Sequence, residues 1–410
     1  MDVTGAVVLV TPTLLAVFLA TGVSEAEAAM YGVCLLAVLP YLGPFMGSLG
    51  RRPANLQFVL LFTVLAITTA TAFARVAPGE ATLQAKALAA TAVWASIYVV
   101  VFSSLKTPDD PRRLMKWIHV TCLAITASVY ASVLLHRIGL RFGEVLQFSD
   151  GSSRVFGPLG DQVGFVLVLP VLMSLAASNP LMFGVHLGAL LLTATRGAVL
   201  CLIVGIVAYL LVAARSRARA GRRLAAAAGV LLVGVTVFLS PLSAVLMGRL
   251  VTEPIMSGAS YRLTAIETGA QIFLENPVLG LGFNGFGAAR PAVYEDWTNT
   301  IGAENGLSRT TNQYVQTATD GGAVALLLLV LFVLCTSRDA LRIAKSPDAS
   351  PAVVATQLWL ISVMVGDQGA LWLLSNTATG FFVFAVAGMT ARMSLTMAER
   401  AAARPGLARP

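Results

Sequence analysis

Long apolar runs separated by short polar breaks occupy most of the chain. They lie near residues 5–21, 27–49, 55–74, 83–105, 117–135, 161–177, 181–195, 197–214, 224–243, 322–337, 352–370 and 371–389. These runs are too long for barrel strands, and an open sheet leaves backbone groups unpaired in hydrocarbon. They therefore predict transmembrane α-helices, about twelve in all. Several fall short of the ~20 residues that a perpendicular span needs, which predicts tilt, local thinning or burial. The two runs meeting at Thr195-Arg196-Gly197 also read as one broken helix, and the last two runs also read as one. The first run has no basic segment before it and no clear cleavage site after it. It reads as the first span and not as a removed signal peptide.

One sizeable stretch, 244–320, breaks this pattern, and no Pro- or Ser-rich linker separates it as a second domain. The expectation is a single integral membrane domain over 1–410 with 244–320 as a large loop inside it. Within the loop, Leu263, Ile266, Ala270, Phe273 and Leu274 recur at helical spacing. Ser260 is the expected N-cap, Asn276-Pro277 the stop, and Arg262 falls in the first turn. The glycines of GLGFNGFG follow no strand and precede no GK[ST], so they read as a closely packed turn and not as a nucleotide loop.

Charge orients the spans. The 410 residues are 57% hydrophobic and only 12% charged, well below the ~25% of soluble domains. The net charge of +8 reads as the positive-inside bias and not as a nucleic-acid footprint. Clusters follow the spans at Arg51-Arg52, Lys106–Lys116, Arg215–Arg223, Arg338–Lys345 and Arg392–Arg409, and with twelve spans all fall on one side. That side is expected to be cytoplasmic and to hold both termini, which leaves 244–320 and 136–162 on the periplasmic face. Cys34, Cys122, Cys201 and Cys335 all lie in apolar runs without paired or metal-like spacing, and read as small buried hydrophobes.

A few polar residues stand out against this background. Arg196 lies between two apolar runs, where an arginine snorkels or faces the bundle interior with a partner. Its planar fork suits phosphate. Arg262, in the first turn of its helix, stands against the dipole preference, which favours a role other than helix stability, and the alternative is an exposed arginine paired with a nearby acid such as Glu267. Asn312, Gln316 and Thr319, at i, i+4 and i+7, form one polar stripe on the first turns of the helix that follows, expected to face the interior. Arg154 sits before the sixth run, with Asp161 as the nearest loop partner. His119 and His186 are mid-span and read as packing residues. No His, Cys and carboxylate cluster has metal spacing, and no Ser–His–Asp pattern is present, so no metal or cofactor is expected.

Four segments carry a resemblance. TRGAVL, YRLTAIETGAQIFLENPVLGLGFNGF, TTNQYVQTATDGGAVALLLLV and, more weakly, RVFGPLGDQ resemble, in order and spacing, motifs of the O-antigen ligase and O-antigen polymerase superfamily. The resemblance covers about residues 150–335. It implies an all-α fold related to C-type glycosyltransferases. It implies a glycan donor linked to undecaprenyl diphosphate, with Arg196 and Arg262 holding the diphosphate. Arg154, Thr311, Asn312 and Gln316 are the implied substrate-binding positions. Thr311 stands where the ligases carry a histidine thought to activate the acceptor hydroxyl, and threonine is no general base near neutral pH. That departure favours a polymerase over a ligase acting on lipid A core. His136, Asp320 and Glu304 are the remaining candidate bases.

The expected protein is thus a bacterial inner-membrane glycosyltransferase of cell-surface polysaccharide assembly. It takes a glycan or lipid A core acceptor and contacts membrane lipid, and other assembly proteins are possible partners. A transporter or flippase is the alternative from another class. It would place its polar residues at the midplane and carry inverted repeats, whereas here they collect at one face and no repeat is visible.

Overall fold

Several helices begin where the chain places Pro, Asn or Asp. In the structure, a computed structural model, the described residues are 37–72, 78–107, 109–140, 142–147, 153–157, 163–193, 195–214, 255–283, 285–286, 312–366 and 378–403. They form α1 (Leu39–Met46), α2 (Pro53–Ala72), α3 (Pro78–Ser104), α4 (Asp110–Arg137), a hairpin of β1 (Glu144–Gln147) and β2 (Ser153–Gly157), then α5 (Val163–Ala176), α6 (Pro180–Leu192) and α7 (Arg196–Ala214). After 215–254 come α8 (Ile255–Glu275), α9 (Gln313–Lys345), α10 (Pro351–Gly366) and α11 (Ala378–Ala402). Asn179 caps α6, its side chain accepting from Met182 N at 3.1 Å, and Pro180 fills the first position, where no amide donor is needed. Asp110 Oδ2 closes the start of α4 by accepting from Lys106 N and Thr107 N at 2.8 and 2.6 Å.

Among the described residues, four helical segments are long and apolar enough to cross a membrane: Pro53–Thr71, Asp110–Arg137, Gln313–Ala344 and Thr379–Ala402. Five shorter apolar helical segments accompany them: Thr91–Ser104, Val163–Ala176, Pro180–Leu192, Gly197–Val212 and Pro351–Val365. The expected runs at 5–21 and 224–243 lie outside the described residues, as does the turn at 215–223. The two runs at Thr195 are separate helices, α6 ending at Leu192 and α7 starting at Arg196. α5 is apolar all round and buried along nearly its whole length, which makes it a central helix of the bundle. One element departs from an all-helical reading. β1 and β2 pair antiparallel, with Leu146 opposite Arg154 and a bulge at Glu144/Val145.

The core is tied together by aromatic rings. Phe58 stacks on Tyr98 at 4.4 Å, and Phe45, Phe102, Phe332 and Phe384 close around them from α1, α3, α9 and α11. The Tyr98 hydroxyl donates to Asn55 Oδ1 at 2.6 Å, so the buried phenol is satisfied. Gly388 on α11 lies against the Tyr98 backbone, and the missing side chain is what lets α3 and α11 come so close.

The basic clusters that fall on described residues share one end of the bundle. Arg52, just before α2, donates to Ser394 Oγ on α11 at 2.9 Å and lies 3.7 Å from Asp339 on α9, with both charged side chains nearly inaccessible. Burial lowers the pKa of this guanidinium, and the Asp339 carboxylate acts against that shift. Arg392 of α11 donates to the Leu105 carbonyl at 2.6 Å. α2 leads away from this end for about 25 Å to Thr69, at the rise of 1.5 Å per residue. The candidate site lies there.

Candidate functional site

The site is built on a break in α9. Gln313–Lys345 is not one continuous helix. Gly322 sits inside it at φ +67° and ψ −166°, which splits a short first segment from the long apolar one. A Cβ at Gly322 would collide with the Val278 carbonyl, so only glycine fits both the conformation and the space. The turn after α8 is laid into this break. Leu281 N donates to the Thr319 carbonyl and Gly282 N to the Asp320 carbonyl, each at 2.9 Å, and Ala323 N donates back to the Pro277 carbonyl at 2.7 Å. The backbone groups freed by the kink are thus satisfied by the glycine turn. The glycine-rich segment is the closely packed turn that its sequence suggests.

Asp320 is the hub of this junction. It is fully buried, and its Oδ1 accepts from Gln316 Nε2 at 2.9 Å and from Gly285 N at 3.2 Å. The carboxylate holds the far end of the turn against α9 and locks Gln316 one helical turn away. Phe283 N donates to Thr69 Oγ1 at 3.0 Å, which pins the same turn to the end of α2.

The polar stripe faces inward, as its spacing predicts. Gln316 and Thr319 are fully buried, and Thr319 Oγ1 donates to the Gly269 carbonyl of α8 at 3.2 Å. Asn312 has a different task. It is the N-cap of α9, its Oδ1 accepting from Tyr314 N at 2.9 Å and Val315 N at 3.2 Å. The Tyr314 hydroxyl donates to the Met364 carbonyl at 2.6 Å, which brings the start of α9 to the end of α10. Thr311 lies outside the described residues, as does Glu304.

Arg196 is the first residue of α7. Beside it, Gly197 packs against the Phe165 ring, and the Phe165 carbonyl accepts from Trp359 Nε1 of α10 at 2.9 Å. Gly164 meets Thr193 and Thr195. These contacts gather the starts of α5 and α7 beside the latter part of α10. The backbone of Arg196 therefore stands at the same end of the bundle as Asn312 and the glycine turn.

Arg262 lies deeper in its helix than the sequence suggests. α8 starts at Ile255 and not after Ser260, so Arg262 is in the third turn and the argument from an unfavourable first-turn charge falls away. The apolar face expected for α8 is also corrected. Leu263 and Leu274 are strongly exposed, and Ala270 is exposed too, whereas Ala265, Thr268, Gly269 and Ile272 are buried. Small residues allow α8 to lie close on α9, and the larger apolar residues are left outside.

Arg154 is on β2 and not in a loop. The hairpin packs across the end of α4 and the start of α5, with Val155 buried in the core. Its expected partner, Asp161, lies outside the described residues. His119 and His186 meet edge to face at 6.2 Å, and His186 Nδ1 is 2.8 Å from Thr126 Oγ1, which fits packing residues. Cys122 and Cys201 are buried free thiols.

The helices α6, α7 and α8, the glycine turn and the first part of α9 belong to one stretch of sequence that comparison identifies. Residues 181–330 match the O-antigen ligase family model. The matched stretch contains Arg196, Arg262, Asn312, Gln316 and the break in α9, and it supports the resemblance read from the sequence. The family indicates O-antigen ligase or polymerase type function, with a lipid-linked glycan and an acceptor as the classes of substrate. With the apolar helices, it makes this a multi-pass membrane protein. No curated protein matches the chain.

Proposed function

We propose that the protein transfers a glycan from an undecaprenyl-diphosphate-linked donor to a sugar hydroxyl at the periplasmic face of the bacterial inner membrane, as a polymerase. The single observation that carries this reading is the match of residues 181–330 to the O-antigen ligase family, a stretch that includes both candidate arginines and whose glycine turn is pinned at Thr69, the end of α2 opposite the buried Arg52–Asp339 pair. The basic end is then cytoplasmic, with both termini on that side, and the junction of 276–286 with α9 belongs to the periplasmic loop.

In this mechanism the acceptor hydroxyl attacks the anomeric carbon as the bond to the diphosphate oxygen breaks. The leaving diphosphate gains negative charge. Arg196 and Arg262 take that charge in a partly dry site, where aimed donors count for more than in water. The N-terminal end of the α7 dipole, where Arg196 stands, adds to the same attraction. The acceptor proton leaves late if the transition state resembles an oxocarbenium ion, so a strong base is not required. Asp320 is assigned to holding the turn, because its Oδ1 already accepts two hydrogen bonds.

The alternative within the family is ligation to lipid A core, which the description of the matching family favours. Thr311 in place of a histidine favours polymerisation. Product analysis of the purified enzyme with a polyprenyl-linked oligosaccharide separates the two. Longer chains on the same lipid support the polymerase. Glycan moved to a different lipid supports the ligase, and no transfer with either acceptor counts against both.

A further inference from the structure

A second polar feature lies at the other end of the molecule. Arg338, Arg342 and Lys345 stand at i, i+4 and i+7 near the end of α9, on one face of the helix. With Leu341 and with Met397 from α11, they line an open cleft of about 480 Å³. No carboxylate lines it. Asp339 is buried and turned towards Arg52, and its Oδ1 is 3.8 Å from Arg338 Nη2. Asp348 and Glu399 are exposed nearby and are not part of the lining.

Like charges at this helical spacing repel one another. The negative end of the helix dipole, worth about half an elementary charge, offsets only part of three cations. The arrangement calls for an anion. Its place says which kind. The segment Gln313–Ala344 is apolar enough to span a membrane, so the cleft at its end opens at the boundary between hydrocarbon and water. Leu341 and Met397 set apolar surface directly beside the cations, which suits a ligand with a charged head and a greasy body.

We propose that this cleft binds the phosphate headgroup of an anionic phospholipid from the leaflet that borders it. Arg338 and Arg342 present planar forks to the phosphate oxygens, and Lys345 adds a point charge. Leu341 and Met397 meet the glycerol and the top of an acyl chain. The site stands apart from the O-antigen ligase domain and does not depend on the reaction proposed for it.

The test uses the full-length protein in neutral detergent, with native mass spectrometry and thermal unfolding as readouts. Three probes are compared: short-chain phosphatidylglycerol, phosphatidylcholine of the same chain length, and inorganic phosphate. Phosphatidylglycerol is expected to give a retained adduct and raise the unfolding temperature, and the other two are not. The triple variant Arg338→Gln/Arg342→Gln/Lys345→Gln is expected to lose both effects. Arg342→Gln and Lys345→Gln alone, both at exposed positions, are expected to weaken them in a protein that folds normally. Arg112→Gln/Arg113→Gln, an exposed basic pair elsewhere, is expected to retain them. Equal protection by phosphatidylcholine overturns the proposal, and so does an adduct that survives in the triple and both single variants. Protection by inorganic phosphate equal to that by phosphatidylglycerol makes the ligand a free anion and overturns the lipid assignment.

Discussion

Gly280 and Asp320 meet backbone to backbone. Gly280 has φ +63°, and a Cβ there would stand 2.6 Å from the Asp320 carbonyl oxygen. Gly322 makes the reciprocal approach towards Val278. Together they fasten the turn after α8 into the break of α9. Gly280→Ala and Gly322→Ala are each expected to lose most activity and to lower stability. The left-handed backbone alone costs ~1–2 kcal/mol, before the collision is counted. Gly43→Ala, where a Cβ meets nothing within 4 Å, is the control and should be near neutral. Thermal unfolding in detergent, read beside transfer activity, checks this.

Asp320 separates a structural role from a chemical one. Asp320→Asn keeps an oxygen able to accept from Gln316 and from the Gly285 amide, and is expected to keep most activity. Asp320→Ala leaves both donors unmatched in a buried site and is expected to lose it. A general base behaves differently, since its loss costs ~10²–10⁴-fold for either substitution. Initial transfer rates of the two variants decide.

Asn312 is expected to act through the helix it caps. Asn312→Asp and Asn312→Ser retain a capping oxygen and should remain active. Asn312→Ala should destabilise the start of α9 by ~1 kcal/mol and reduce transfer. If Asn312→Ser is as damaged as Asn312→Ala while both fold normally, the side chain touches substrate instead. Rates and unfolding temperatures measured on the same preparations tell these apart.

The Arg52–Asp339 pair makes a prediction about stability alone. Removing one partner leaves the other charge buried, at a cost of ~3–5 kcal/mol. Arg52→Met and Asp339→Leu should each lower the unfolding temperature strongly, and the double variant should recover much of the loss. Specific activity per folded molecule should change little, because the pair lies at the far end of α2 from the glycine turn.

Much of this was legible in the chain. Long apolar runs announce helices because the backbone must satisfy itself in lipid. Basic residues at alternate breaks announce a common end, and the contacts of Arg52 and Arg392 bear that out for the described clusters. The packed role of GLGFNGF was readable from glycine spacing. Other features were hidden. Asp320-Gly321-Gly322 runs into an apolar helix without a proline, so the Gly-Gly pair alone marks the break, which exists because the turn from α8 occupies it. The packed face of α8 is hidden because the large apolar residues dominate its pattern, whereas the small Ala265, Thr268 and Gly269 are what permit close approach. The hairpin did leave a signal: Asp150-Gly151 between short alternating segments is a turn between strands. Asn312 directly ahead of a helical run was likewise readable as a cap.

The central claim is that Arg196 and Arg262 stabilise the departing diphosphate. The direct measurement is glycan transfer from a polyprenyl-diphosphate donor by purified Arg196→Ala, Arg262→Ala and the corresponding Lys variants, at matched membrane expression and matched unfolding temperature. The account predicts that both Ala variants lose transfer by a factor of ~10² or more, the scale of losing one aimed donor at a developing charge. Lys should restore little, because a point charge does not reproduce the planar fork. Full transfer by either Ala variant would contradict the account and remove that arginine from the mechanism.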